Sequence, residues 1–420
     1  MNSTTFQIYG AKRLDGVVNI ESAKNSILVL MAGSVLTNET VVIKNCPKIL
    51  DVLSMIEILN SLGARTEFVE NDLYVYPEKT ERFEIDENLS TKLRASVFMT
   101  GALLSRFEEC RIAYPGGCSI GARPIDVHLE CFKALGYAVS CDEKNIRVKL
   151  DKKIRDAKYT FPIKSVGATE NAILASVFLK GTVILKNCAV EPEIVDLQNF
   201  LNGMGANVCG AGGDVIVING VKKLSGIKYL PIGDRIEAGT FLLSALICGG
   251  NIELKNAKIQ NISSLIDKIA FSACKIRSND DIINVQSFGK LCLPKTIVTS
   301  PFPGFATDLQ SQIFAAALFA DGKTRIIETL FESRFATVTE FRKFGADVSL
   351  KNNVVTVNGG KKMKGAEVAA KDLRGCAGLI LAALGIDDFS VVYGINYLDR
   401  GYYEFDKKLR ALGADVKRTD

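Results

Sequence analysis

Ser61-Leu62-Gly63-Ala64-Arg65-Thr66 reads SLGART, and closely similar tracts return five more times along the chain. They are ALGYAV at Gly136, GMGANV at Gly205, SACKI at Ala273, KFGADV at Gly345 and ALGADV at Gly413. Successive spacings of 73, 69, 68, 72 and 68 residues make the chain close to six copies of one unit, and a fixed period dictates the architecture. Ahead of each tract lies an amphipathic pattern, as in DVLSMIEILNSLGA, EIVDLQNFLNGMGA and YEFDKKLRALGA, apolar at about i, i+3 and i+4. These are helices with one solvent face. Earlier in each copy comes a segment apolar all round: NSILVLMAGSVL, SVFMTGALL, AILASVFL, TFLLSALI, QIFAAALFA and CAGLILAALG. A helix apolar on every side and too short for a bilayer belongs inside protein. Strand-like runs such as ETVVIKN, GTVILKN, GNIELKN and GDVIVING separate the helices. Each copy therefore reads strand, buried helix, strand, outer helix, strands. The fold class is α/β (α+β), with two domains of three units each, buried helices inside and sheets around them.

At 420 residues the chain is long enough for two such cores, and 47% hydrophobic with 24% charged residues excludes a disordered or fibrous protein. A net charge of +5 without a basic run leaves no nucleic-acid footprint and leaves room for small anionic ligands. The start MNSTTFQIYGAKRLDG lacks a secretory pattern, no apolar run reaches a membrane span, and eleven scattered cysteines form no CxxC pair. A cytoplasmic protein with no membrane partner, no disulfide framework and no metal or other cofactor is expected.

If the buried helices run parallel, their N-termini, with partial positive charge and unpaired N–H groups, aim the same way and suit phosphate or carboxylate. The stretches at those starts are ESAKN (21–25), KLRAS (92–96), SVGATEN (165–171), GDRIEAG (233–239), ATDLQ (306–310) and KDLRG (371–375). Some of these residues suit simple helix caps. Recurrence of Lys24, Arg94, Asp234, Arg235, Asp308, Asp372 and Arg374 at one structural position points instead to a shared cleft. A separate feature is PGGCSIG (115–121), which places Cys118 on a glycine-rich loop with Arg123 five residues on, where a nearby cation lowers a thiol pKa. The ten other cysteines read as packing residues, and His128, the single histidine, falls on the outer helix after that loop.

Seven motifs in order carry a resemblance: Ser22-Ala23-Lys24-Asn25, Pro115-Gly116-Gly117-Cys118 with Gly121-Ala122-Arg123-Pro124, Ser165-Val166-Gly167-Ala168-Thr169, Glu191-Pro192-Glu193-Ile194, Thr307-Asp308, Asp372-Leu373-Arg374 and Asp399-Arg400-Gly401-Tyr402. Together they resemble the UDP-N-acetylglucosamine 1-carboxyvinyltransferase family of enolpyruvyl transferases. The resemblance implies two inside-out α/β domains as in EPSP synthase, the first over 22–231 carrying the Cys118 loop and the second over 1–21 plus 232–420, with the active site in the cleft between them. It implies transfer of the enolpyruvyl group of phosphoenolpyruvate to the 3-hydroxyl of UDP-N-acetylglucosamine, with release of phosphate, opening peptidoglycan synthesis. It also implies capture of the epoxide fosfomycin.

By the same resemblance Cys118 is the general acid, Asp308 the base toward the sugar hydroxyl, and Lys24 and Arg400 complete the catalytic set. Phosphoenolpyruvate is held by Lys24, Asn25, Arg123, Arg374 and Arg400. The nucleotide sugar is held by Asn25, Arg94, Arg123, Pro124, Ile125, Asp126, Val127, His128, Ile163, Lys164, Ser165, Val166, Asp308 and Leu330. The chain departs from the family pattern at Glu21, Ser333 and Tyr397. A catalytically silent UDP-sugar-binding relative and a shikimate 3-phosphate enolpyruvyl transferase stand as alternative readings.

Overall fold

The computed structural model describes residues 4–116, 121 and 125–419. These divide into two compact units, one holding residues 22–116 and 125–232, the other residues 4–21 and 233–419. Six sheets are present among the described residues, three in each unit.

The third copy displays the plan. Strand Ala157–Thr160 runs parallel to Thr182–Lys186 through a crossover that contains the buried helix Val166–Ser176. Thr182–Lys186 then pairs antiparallel with Val215–Asn219, which pairs with Asn207–Cys209 beyond the outer helix Pro192–Gly203. Alternate burial along Thr182–Lys186 turns Val183 and Leu185 inward, as a sheet with one face on a core requires. In the second copy the leading strand shrinks to a single parallel bridge, Glu84 to Arg111, so that sheet has three strands.

Two leading strands are exchanged. Leu14–Asn19 is followed in sequence by the first buried helix of the unit of residues 22–232, yet it pairs with Gly250–Lys255 within its own unit. Lys228–Tyr229 leads toward the fourth buried helix, yet it pairs with Val41–Ile43. Each unit thus takes one strand from the end of the chain segment that feeds its neighbour.

The apolar segments form the six buried helices: Lys24–Gly33, Phe98–Phe107, Val166–Ser176, Arg235–Cys248, Gln310–Phe319 and Leu373–Gly385. In the sixth, every residue from Leu373 to Leu384 is buried. The fourth, fifth and sixth all pack on one another, and the second packs on both the first and the third. Glycine allows the closest approach: Gly101 donates its N–H to Oδ1 of Asn171 at 2.7 Å, and a Cβ there would lie 2.3 Å from the Asn171 carbonyl oxygen.

The tract that sets the period is a helix stop. At Gly63, Gly205 and Gly413 the backbone is left-handed, with φ of +104°, +103° and +97°. The residue after each donates back to the helix, as Ala64 N–H does to the Leu59 carbonyl at 3.1 Å, closing the last turn. Ala273 is the exception because it is already in strand Ala273–Asn279, where a register shift at Ala273/Cys274 takes up the irregularity.

Candidate active site

In the unit of residues 233–419, three buried-helix starts carry the charged groups. Asp234 caps the fourth helix, accepting from the amides of Ile236 at 2.8 Å and Glu237 at 3.0 Å. Asp372 caps the sixth, accepting from Arg374 and Gly375, both at 3.0 Å. These two aspartates therefore act as caps. The Arg374 side chain reaches on to Asp308, its Nη2 donating to Oδ2 at 2.8 Å. Asp308 lies in the short helical turn Thr307–Leu309 before the fifth helix, and Oδ1 accepts from Nη2 of Arg334.

The two guanidinium side chains are nearly buried, 5% and 3% exposed, while Asp308 keeps 26% of its side chain accessible. Burial alone would raise the Asp308 carboxyl, but Arg374 and Arg334 outweigh it and hold the group far below the usual carboxylate range. Beneath this cluster, Tyr402 is buried with its ring 5.7 Å from the Arg374 guanidinium carbon. Its hydroxyl meets Thr240 Oγ1 at 2.9 Å and Gln312 Nε2 at 3.1 Å. One tyrosine thus ties together the fourth and fifth helices under the arginine of the sixth. Arg400 is half-buried, and Leu330 is exposed after strand Lys323–Ile327.

In the unit of residues 22–232, Lys24 opens the first buried helix with Asn25 beside it. Its Nζ is 2.7 Å from Oδ2 of Asp51, both side chains mostly buried. The same turn is fixed by Ser26, whose hydroxyl donates to Asp196 Oδ2, while Tyr229 donates to Oδ1 at 2.6 Å. Burial pushes the Asp196 carboxyl up, and the Ser26 and Tyr229 bonds oppose it. Glu170, fully buried in the third helix, is pushed well above its ordinary range by burial and then by the charges of Glu193 and Glu191.

Ser165 caps that third helix, accepting from Ala168 N–H at 3.3 Å, and Val166 is its first residue. Ile163 is exposed, and Lys164 pairs with Asp214 at 2.7 Å. Ile125 and Asp126 start the outer helix Asp126–Ala134, which includes Val127 and the buried His128. His128 meets Asn171 Nδ2 at 3.0 Å and approaches Gly167, so it joins the Ser165–Val166 end of the third helix. Arg94 is half-buried in the turn Arg94–Val97 that leads into the second buried helix. Cys118, Arg123 and Pro124 lie outside the described residues.

Sequence reasoning named neither Arg334 as a site residue nor Asp51 and Tyr402 as supports. Arg334 had a signal in Glu332-Ser333-Arg334, a family motif altered at its middle residue. Asp51 had none, because only the fold brings an outer-helix aspartate to Lys24. The departure at Glu21 has a structural partner: its carboxylate pairs with Lys408 at 2.8 Å, and Lys408 also pairs with Glu237 at 2.8 Å. Of the ten described cysteines, all free, Cys141, Cys209 and Cys292 are exposed, which corrects the expectation that all ten pack inside. No group of metal-ligating side chains occurs among the described residues.

Residues 8–409 match the family described as EPSP synthase (3-phosphoshikimate 1-carboxyvinyltransferase). The chain belongs to this enolpyruvyl transferase family. Relatives within it include "UDP-N-acetylglucosamine 1-carboxyvinyltransferase 2" of Caldanaerobacter subterraneus, 42% identical over 98% of this chain and 99% of the relative. Another is the UDP-N-acetylglucosamine 1-carboxyvinyltransferase of Geotalea uraniireducens, 40% identical over 98% of both chains. The enolpyruvyl transferase fold is shared with NikO from Streptomyces tendae, at a TM-score of 0.88 and 23% identity over 99% of both chains. It is shared too with an EPSP synthase of Acinetobacter baumannii, at 0.76 and 15% over the whole of both chains. No described helix of this enolpyruvyl transferase is long and apolar enough to cross a membrane.

Proposed function

We propose that this enzyme transfers the enolpyruvyl group of phosphoenolpyruvate to the 3-hydroxyl of UDP-N-acetylglucosamine, releasing phosphate, and so opens peptidoglycan synthesis in the cytoplasm. The observation that carries the reading is 42% identity, over 98% of the chain, to an enzyme of that name. The EPSP synthase structure, at 15% identity, is far more remote.

The reaction adds a proton to the methylene carbon of phosphoenolpyruvate while the sugar oxygen bonds to the adjacent carbon and the hydroxyl proton passes to a base. The tetrahedral adduct then loses a methyl proton as the carbon–oxygen bond to phosphate breaks, restoring the double bond. In this reading Cys118 supplies the first proton and Asp308 takes the hydroxyl proton. Lys24, Asn25, Arg123, Arg374 and Arg400 hold phosphoenolpyruvate, the arginines matching its carboxylate and phosphate as forked donors. Arg94, Arg123 through His128, Ile163 through Val166 and Leu330, with Asn25 and Asp308, hold the nucleotide sugar.

The Asp308 geometry adds a condition. With a guanidinium on each oxygen, Asp308 has little affinity for a proton. An anionic substrate that draws Arg374 onto itself makes Asp308 more basic when the acceptor hydroxyl needs it.

The test is phosphate release from phosphoenolpyruvate with each acceptor. Release with UDP-N-acetylglucosamine and not with shikimate 3-phosphate is expected. The opposite pattern overturns the reading, and no release with either leaves a silent relative.

A further inference from the structure

Glu328 is buried, and its carboxylate joins three chain segments. Oε1 accepts from the Thr299 hydroxyl at 2.9 Å and from the backbone N–H groups of Leu330 at 2.8 Å and Phe331 at 3.3 Å. Oε2 accepts from the Thr307 hydroxyl at 2.8 Å. The Glu328 backbone is itself fixed, its N–H donating to the Asn353 carbonyl at 2.9 Å and its carbonyl accepting from Asn353 Nδ2 at 2.7 Å. A carboxylate so placed gives charge-assisted bonds to four donors, and no neutral side chain offers four acceptor positions in that shape.

What these bonds hold matters for the site. Thr307 immediately precedes Asp308, and Arg334, which grips Asp308, also donates from Nε to the Thr307 carbonyl at 3.3 Å. Leu330, two residues beyond Glu328, belongs to the set assigned to the nucleotide sugar. A single buried carboxylate therefore fixes both the turn that carries the base and the backbone beside the acceptor.

We propose that Glu328 is a positioning residue for sugar binding and transfer, setting the Thr307–Asp308 turn against the Leu330–Arg334 segment. The inference rests on the function proposed above. Thr307→Val is the sharpest probe, since it keeps the volume and removes only the hydroxyl bonded to Glu328. Glu328→Gln retains one acceptor oxygen and turns an NH₂ group toward a former donor.

Steady-state phosphate release should show, for each variant, turnover reduced about 10- to 100-fold and a raised KM for UDP-N-acetylglucosamine, with the KM for phosphoenolpyruvate within about twofold. Thr307→Ser should restore the wild-type constants. The double variant should be no worse than the poorer single, because both cut the same link. Wild-type constants in Thr307→Val, or losses that multiply in the double variant, overturn the proposal.

Amide hydrogen exchange gives a readout that needs no substrate. Glu328→Gln should exchange faster at Leu330 and Phe331 than the wild type, and unchanged exchange there overturns the proposal. If the wild type turns over neither acceptor, the functional reading fails separately and exchange alone decides the role of Glu328.

Discussion

The guanidinium of Arg374 donates to Oδ2 of Asp308 at 2.8 Å across 66 residues of chain. The bond exists because two buried helices start side by side, one opening with a capped arginine and the other preceded by a turn that carries the aspartate. Arg334 closes on the other oxygen from a third segment. Three parts of the sequence thus share one negative charge.

Asp308→Asn keeps the shape of that cluster and removes its charge. Two nearly buried guanidinium groups would lose their counter-ion, which for a fully buried pair costs about 3–5 kcal/mol. Partial exposure of Asp308 reduces this to about 2–3 kcal/mol. Urea unfolding should show the loss, and phosphate release should fall at least about 100-fold. A variant with wild-type unfolding would show that the arginines do not depend on Asp308.

Glu237 gives stability a pH dependence opposite to that of Asp308. Burial pushes its carboxyl up to about 7 against the opposing charge of Lys408, with Glu21 adding to the rise. Between the ordinary glutamate value of about 4.3 and that value, the folded protein binds more protons than the unfolded chain, so stability falls as pH rises through this window. For Asp308 the folded value lies below the unfolded one, so its contribution is present above about pH 4 and is lost as pH falls below that. Urea midpoints at pH 5 and pH 8 should differ less in Glu237→Gln than in the wild type. An equal difference in both proteins would rule Glu237 out as the source.

Gly101→Ala should destabilise the unit of residues 22–232. The new Cβ would lie 2.3 Å from the Asn171 carbonyl oxygen and 2.4 Å from its Oδ1, forcing apart the second and third buried helices. Overpacking of this kind costs about 1–3 kcal/mol, and disturbing the Gly101–Asn171 bond adds to it. Thermal unfolding measures the change; an unshifted midpoint would mean that the two helices separate without cost.

The repeat made most of this fold legible. A left-handed glycine after every outer helix but the fourth, and an apolar run before it, are local demands of backbone and burial, so they appear directly in sequence, as at Gly63, Gly205 and Gly413. The partners of those helices are not local. Nothing near Lys24 in sequence announces Asp51; recurrence at helix starts places Asp308 and Arg374 in one cleft, but the direct pairing of Asp308 with Arg374 and with Arg334 depends on how those segments meet. The exchange of Leu14–Asn19 and Lys228–Tyr229 was invisible for the same reason: each strand has the composition of its type, and only pairing reveals its sheet. Glu328 left no mark because a single glutamate at a strand end looks like surface.

The placement of Thr5–Tyr9 has a consequence for biosynthesis. That strand is interior to its sheet, flanked by Phe389–Tyr393 and Asp415–Thr419. As the chain leaves the ribosome, the unit of residues 22–232 has all its strands once Tyr229 has emerged. Thr5–Tyr9 must wait until Phe389–Tyr393 has been made before either neighbour exists, and pairings of such long separation form slowly. During that interval both its edges are open to other chains. Strands made long after it therefore shelter this one on both sides.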